Sequence, residues 1–121
     1  MAKKILLVED ENIMITLLQK KLTQAGYEIE VARDGREGLK LMKVKKPSLV
    51  LLDMVMPKMG GIEVLEAMQK DSDLKRIPVV VISNSGQLVE LEKVKKLGVK
   101  DWLIKTEFDP NEVIKKVKKL I

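Results

Sequence analysis

Five residues of this 121-residue chain carry side chains suited to chemistry, and each lies just past a short apolar run. Glu9 and Asp10 follow Ile5–Val8, Asp53 follows Leu49–Leu52, Ser83 follows Val79–Ile82, and Lys105 follows Trp102–Ile104. The chain has no histidine and no cysteine. Imidazole acid–base catalysis, thiol chemistry, disulfides and cysteine-built zinc sites are therefore excluded. What is left is carboxylate, hydroxyl, ammonium and backbone. If the fold gathers the three acids, they repel, and either one takes up a proton or a cation neutralises them. With hard oxygen donors only, that cation is Mg²⁺ or Mn²⁺. A carboxylate beside such a metal can attack phosphorus and form an aspartyl phosphate. The metal and Lys105 would offset charge on the equatorial oxygens, and Ser83 would donate a hydrogen bond to one of them.

Whether these residues meet depends on the elements that carry them. The apolar runs Ile5–Val8, Ile29–Ala32, Leu49–Leu52, Val79–Ile82 and Trp102–Ile104 are short, and several are continuously apolar. That pattern suits strands buried on both faces of a parallel sheet. The stretches between them read as helices. Residues 11–25 put Met14, Leu18, Leu22 and Ala25 on one face, with Gly26 as the stop. Asp34 and Glu37 resemble a capping box opening the second helix. Ile62, Leu65 and Met68 face inward from 61–70; Leu88, Leu91 and Val94 face inward from 87–97, with Gly98 just beyond. Asp109-Pro110-Asn111-Glu112 opens a fifth helix with the apolar stripe Val113, Ile114, Val117, Leu120 and Ile121. Five βα units with right-handed crossovers make an open parallel sheet covered on both faces, and such sheets carry ligands at the carboxyl ends of the strands. All five residues fall at that edge. Each has an ordinary alternative: Asp10 or Ser83 as a helix cap, Glu9 as a loop acid, Lys105 as a surface lysine. Asp53, where a buried run meets solvent, is the hardest to explain that way.

The composition is that of one domain: 45% hydrophobic and 34% charged, against about 25% charged in an average soluble protein. There is no apolar run of membrane length and no signal-peptide pattern at the N-terminus, so a cytoplasmic protein is expected. The net charge of +5 lies wholly in residues 93–121, which hold nine lysines and four acids. That excess reads as a solvated helix face or as a docking face for an acidic partner. Nucleic acid is not expected, because the segment has no arginine and only Trp102 and Phe108 as aromatics.

Taken together, Glu9-Asp10, Asp53 followed by Met56-Pro57 and Gly60-Gly61, Ser83 and Lys105 resemble the receiver domain of two-component response regulators over essentially the whole chain. The resemblance implies a single domain over 1–121 with a flavodoxin-like (βα)5 three-layer sandwich and strand order 2-1-3-4-5. It implies transfer of a phosphoryl group from a kinase phosphohistidine to Asp53, with the protein assisting its own phosphorylation and dephosphorylation rather than acting as an enzyme on another substrate. Mg²⁺ would be held by Asp10 and Asp53, by Glu9 through water, and by the backbone carbonyl of Val55. Lys105 would contact the phosphate, and Ser83 and Trp102 would form the switch. The implied partners are a sensor histidine kinase or phosphotransfer protein and a downstream protein bound on the face of the fourth helix, fifth strand and fifth helix, with dimerisation on phosphorylation left open.

Three positions depart from the family pattern: Asn84 in place of a small residue, Thr106 in place of proline after Lys105, and Trp102 in place of Tyr or Phe. Three other readings compete. An aspartyl phosphatase would use a second acid two residues past its nucleophile, where Val55 stands. A nucleotide or flavin domain would show a glycine-rich loop after the first strand, which is absent. An unphosphorylated interaction module would not need the full acid–hydroxyl–lysine set.

Overall fold

The computed structural model describes residues 2–56, 59–83, 88–105 and 109–121, and the side chains of all of these except 88–91. Pro57, Asn84, Thr106, Phe108 and the side chains of Leu88 and Leu91, all invoked above, lie outside the described residues. In chain order the elements are β1 (Lys4–Val8), α1 (Asn12–Gln24), β2 (Glu28–Ala32), α2 (Gly35–Lys45), β3 (Leu49–Asp53) and α3 (Gly61–Gln69). A 3₁₀ turn (Leu74–Arg76) follows, then β4 (Val79–Ser83), α4 (Leu88–Lys96), β5 (Asp101–Ile104) and α5 (Pro110–Leu120). All four strand pairings are parallel, in the order β2-β1-β3-β4-β5. The expected fold class and strand order are thus observed.

The continuous apolar runs serve two cores at once. Leu6, Val8, Val50, Leu52, Val79 and Val81 pack with Met42 of α2, with Val64, Leu65 and Met68 of α3, and with Val94 of α4. The alternate residues Ile5, Leu7, Leu49, Leu51, Val80, Ile82 and Leu103 pack with Leu18 and Leu22 of α1 and Val113 and Val117 of α5. Side chains on a strand alternate between faces, so each run is divided residue by residue between the helix layers. Each fully buried aliphatic side chain contributes about 1.5–3 kcal/mol.

The helix ends follow the local signals. Asp34 Oδ1 accepts the Glu37 N–H at 2.9 Å, and Asp109 Oδ1 accepts the Asn111 N–H at 2.9 Å ahead of Pro110. Gly26 (φ 97°) and Gly98 (φ 86°) lie just past α1 and α4 in the left-handed region that favours glycine. Five expected apolar-face positions are not fully buried: Ala25 and Ile62, and in the α5 stripe Ile114, Leu120 and Ile121, which are partly buried against the α1/α5 core. Ala25 is exposed because α1 stops at Gln24 and Ala25 is its C-cap, its N–H closing on Lys21 and Leu22 carbonyls; Ile15 is buried on that face as well. Ile62 is only half-buried, and Val64 joins Leu65 and Met68 inside. No helix among the described residues is long and apolar enough to cross a membrane.

Gly61 fixes how the chain leaves β3. A Cβ there would sit 2.7 Å from Met54 Sδ, 2.8 Å from Met54 Cα and 2.9 Å from the Asp53 carbonyl oxygen. Two of those atoms are backbone and cannot swing aside, while the Gly61 N–H bonds the Met54 carbonyl at 3.0 Å. Gly61→Ala should therefore destabilise the protein by about 1–3 kcal/mol. Urea denaturation measures this; an unchanged midpoint would show that the β3–α3 connection has room to spare.

Candidate functional site

Parallel strands bring their carboxyl ends to one edge, and the pairing register decides which residues face each other there. Glu9 is one residue past β1, its N–H still bonded to the Ala32 carbonyl at 2.9 Å. Asp53 ends β3, paired with Ile82, and Lys105 follows β5, its N–H bonded to the Ser83 carbonyl at 2.7 Å. By alternation Glu9 follows Ile5 and Leu7, Asp53 follows Leu49 and Leu51, and Lys105 follows Leu103. All three therefore point to the α1/α5 side of the sheet, and they meet. Lys105 Nζ lies 3.0 Å from Glu9 Oε1 and 3.3 Å from Asp53 Oδ2. Both acids are buried, Glu9 at 0% and Asp53 at 3% exposure.

One ammonium does not balance these acids. Glu9 Oε2 accepts the N–H groups of Asp10 and Glu11 at 3.0 Å each and a hydrogen bond from Lys105 at 3.3 Å. Glu9 Oε1 is within ion-pair distance of Lys105 but lacks hydrogen-bond geometry, so a buried carboxylate oxygen has no hydrogen-bond partner. Burial, reinforced by the Asp53 carboxylate and opposed by the Glu11 N–H and by Lys105, raises the Glu9 pKa from 4.5 to about 7. Burial alone would lower that of Lys105, but the Glu9 hydrogen bond and the charges of Asp53 and Glu9 outweigh it and raise it. Glu9, Asp10 and Asp53 each offer an oxygen, all within 4.8 Å of one another. Hard donors, an orphaned buried oxygen and uncompensated negative charge fit a hard divalent cation.

The remaining expected residues are placed as follows. Asp10 is exposed and does not cap α1; Glu11 holds the N-cap position. Ser83 does not cap α4, which begins five residues later. Ser83 is buried, and alternation sets it with Val79 and Val81 on the α3/α4 side, apart from the ion-pair network. The pairs Val81–Trp102 and Ser83–Ile104 put Trp102 diagonally across from Ser83 on that same face. Trp102 packs against the α2/α3/α4 core, with Lys95 Nζ 4.9 Å from its ring centroid. Val55 donates its N–H to Asp53 Oδ1 at 3.3 Å and has 58% of its surface exposed. One residue at the site was not anticipated: Glu11, whose Oε2 lies 3.8 Å from Lys105 Nζ.

The family described as response regulator receiver domain matches residues 5–118. The chemotaxis protein CheY of Thermotoga maritima is 35% identical over 122 residues, covering 99% of this chain and 98% of that protein. The chemotaxis response regulator CheY4 of Vibrio cholerae has a TM-score of 0.91 at 28% identity, covering 100% of both chains. The phosphorylated cyanobacterial phytochrome response regulator RcpA has a TM-score of 0.83 at 34% identity, covering 98% of this chain and 91% of that one. The chain spans about half the length of other curated relatives it matches, among them a transcriptional regulatory protein of Bacillus subtilis and probable transcriptional regulators of Cyanophora paradoxa and Porphyra purpurea.

The raised Glu9 pKa sets a direction for stability. Between its ordinary 4.5 and about 7 the folded protein holds a proton that the unfolded chain releases. This contribution is complete below pH 4.5 and is lost as pH rises through 7. In chelator, Glu9→Gln should gain stability relative to the unsubstituted protein between pH 5 and pH 8. Urea midpoints at both pH values measure it; an identical difference at pH 5 and pH 8 would mean that Glu9 titrates normally.

Proposed function

The chain belongs to the response regulator receiver family, and from that premise we propose that it is a phosphoacceptor switch whose acceptor is Asp53. The observation that carries this is the placement of Asp53: at the end of a central strand, buried, bonded to Lys105 and within 4.8 Å of Glu9 and Asp10 donor oxygens. A carboxylate oxygen of Asp53 attacks the phosphorus of a phosphohistidine on a kinase or phosphotransfer protein. The P–N bond breaks, and the departing imidazole nitrogen takes up a proton. Lys105 contacts the phosphoryl group and offsets its charge, and Ser83 donates its hydroxyl hydrogen to a phosphoryl oxygen. Mg²⁺, with Mn²⁺ as the alternative, would be held by Asp10 and Asp53, by Glu9 through water and by the Val55 carbonyl, and would supply positive charge to the transferring oxygens. Hydrolysis of the acyl phosphate at the same site returns the switch to rest, so the protein assists its own reactions without being an enzyme for another substrate. Val55 in place of a second acid counts against a phosphatase.

The output side of this reading is the face of α4, β5 and α5, beside which Ser83 and Trp102 lie and whose two helices carry most of the excess lysines. Phosphorylation biases a pre-existing equilibrium there, and an acidic partner whose binding weakens with salt fits the charge. A cytoplasmic setting follows from the reading of a kinase-driven relay.

Incubation with a small phosphodonor and Mg²⁺, followed by intact mass measurement, tests the assignment. One hydroxylamine-labile phosphoryl mass is expected, absent with chelator and absent in Asp53→Asn, and Trp102 fluorescence should change with it. The same labile mass at the same rate in Asp53→Asn would overturn it.

A further inference from the structure

Glu11 is an odd residue for its position. It is the N-cap of α1, with φ −85° and ψ 115°, and its carbonyl accepts the Ile15 N–H at 3.0 Å. Ser, Thr, Asp or Asn there would bond the free N–H groups of the first turn. Glu11 makes no such side-chain bond, and the first turn of α1 contains no acid to compensate. Its carboxylate turns instead to Lys105, 3.8 Å from Nζ, with 54% of its side chain exposed against 0% for Glu9 and 4% for Asp53. Lys105 therefore lies between two buried acids and one at the rim.

We propose that Glu11 is a positioning residue that holds the Lys105 ammonium toward the mouth of the site and so competes with a phosphoryl group on Asp53 for it. The inference rests on the reading of Asp53 as phosphoacceptor. When Asp53 carries the phosphoryl group, the Lys105 ammonium must shift toward it to contact it in full, and the pull of Glu11 from the rim opposes that shift. The chain forgoes a helix cap and gains a weaker hold on the phosphorylated form, which suits a switch that must also turn off. The pair is half in solvent, so its effect is modest.

The probe is beryllofluoride with Mg²⁺, titrated onto the full chain. Glu11→Gln removes the charge. Glu11→Asp keeps the charge but loses the reach, and also supplies a capping side chain. Both should tighten binding about two- to five-fold, and neither should alter affinity in a Lys105→Met background. Tightening by Gln alone would overturn the proposal in favour of simple repulsion by a rim charge, and no change in either would overturn it outright. The pair is also read without metal, from the NMR resonance of the Lys105 Cε methylene. That resonance should shift in both variants, and a resonance that stays put would refute the contact. If it shifts but the unsubstituted protein binds no beryllofluoride, the Glu11–Lys105 pairing stands and the reading of Asp53 fails.

Discussion

One ammonium group buried among carboxylates is the constraint on which this edge of the sheet depends. Lys105 is the only cation in contact with Glu9, Asp53 and Glu11 among the described residues. Removing charges from water is expensive unless they are paired. Here the pairing is incomplete: a Glu9 oxygen has no hydrogen bond, and the Glu9 carboxyl holds its proton up to about pH 7. Such an arrangement favours any ligand that brings positive charge. It persists because the sheet holds it. Glu9, Asp53 and Lys105 stand at or one residue past strands whose backbone ladders are closed, so none can retreat without breaking parallel pairing.

The sheet also separates charge from readout. Glu9, Asp53 and Lys105 follow the residues of the α1/α5 core, while Ser83 and Trp102 follow those of the opposite core. Ser83 is one register step beyond the residue paired with Asp53, and its carbonyl accepts the backbone N–H of Lys105. A change of charge at Asp53 is thus one residue away from an element that faces the other layer. Packed cores move between discrete arrangements rather than deforming smoothly, and this is the physical basis for reading the site as a switch. The lysine cation seated over Trp102 ties α4 to β5 on that same side.

Much of this was legible in the sequence. The strands were readable because runs such as Leu49–Leu52 are too short and too uniformly apolar for anything but a strand covered on both faces. The helix ends were readable because Asp34, Asp109-Pro110, Gly26 and Gly98 are local signals with local causes. The same uniformity hid the division between the two cores, since a run apolar at every position does not show which residues face α1 and α5. Apolar spacing alone puts Ala25 on the buried face because it continues one residue past the last helical turn. Glu11 is not legible from sequence, because a third acid after Glu9-Asp10 reads as solvated charge and only the fold shows that its side chain leaves the helix terminus uncapped. The roles given to Val55 and Trp102 came from family resemblance, since nothing in their spacing indicates a metal or a switch.

If a divalent cation completes the charge of this cluster, its binding should displace the proton of Glu9. Calorimetric titration of Mg²⁺ in buffers of different ionisation enthalpy counts the protons released on binding. Release should be largest below pH 7 and should fall toward zero as pH rises above it, because Glu9 is then already ionised. Binding of Mg²⁺ with no proton released anywhere between pH 5 and pH 8 would contradict the account.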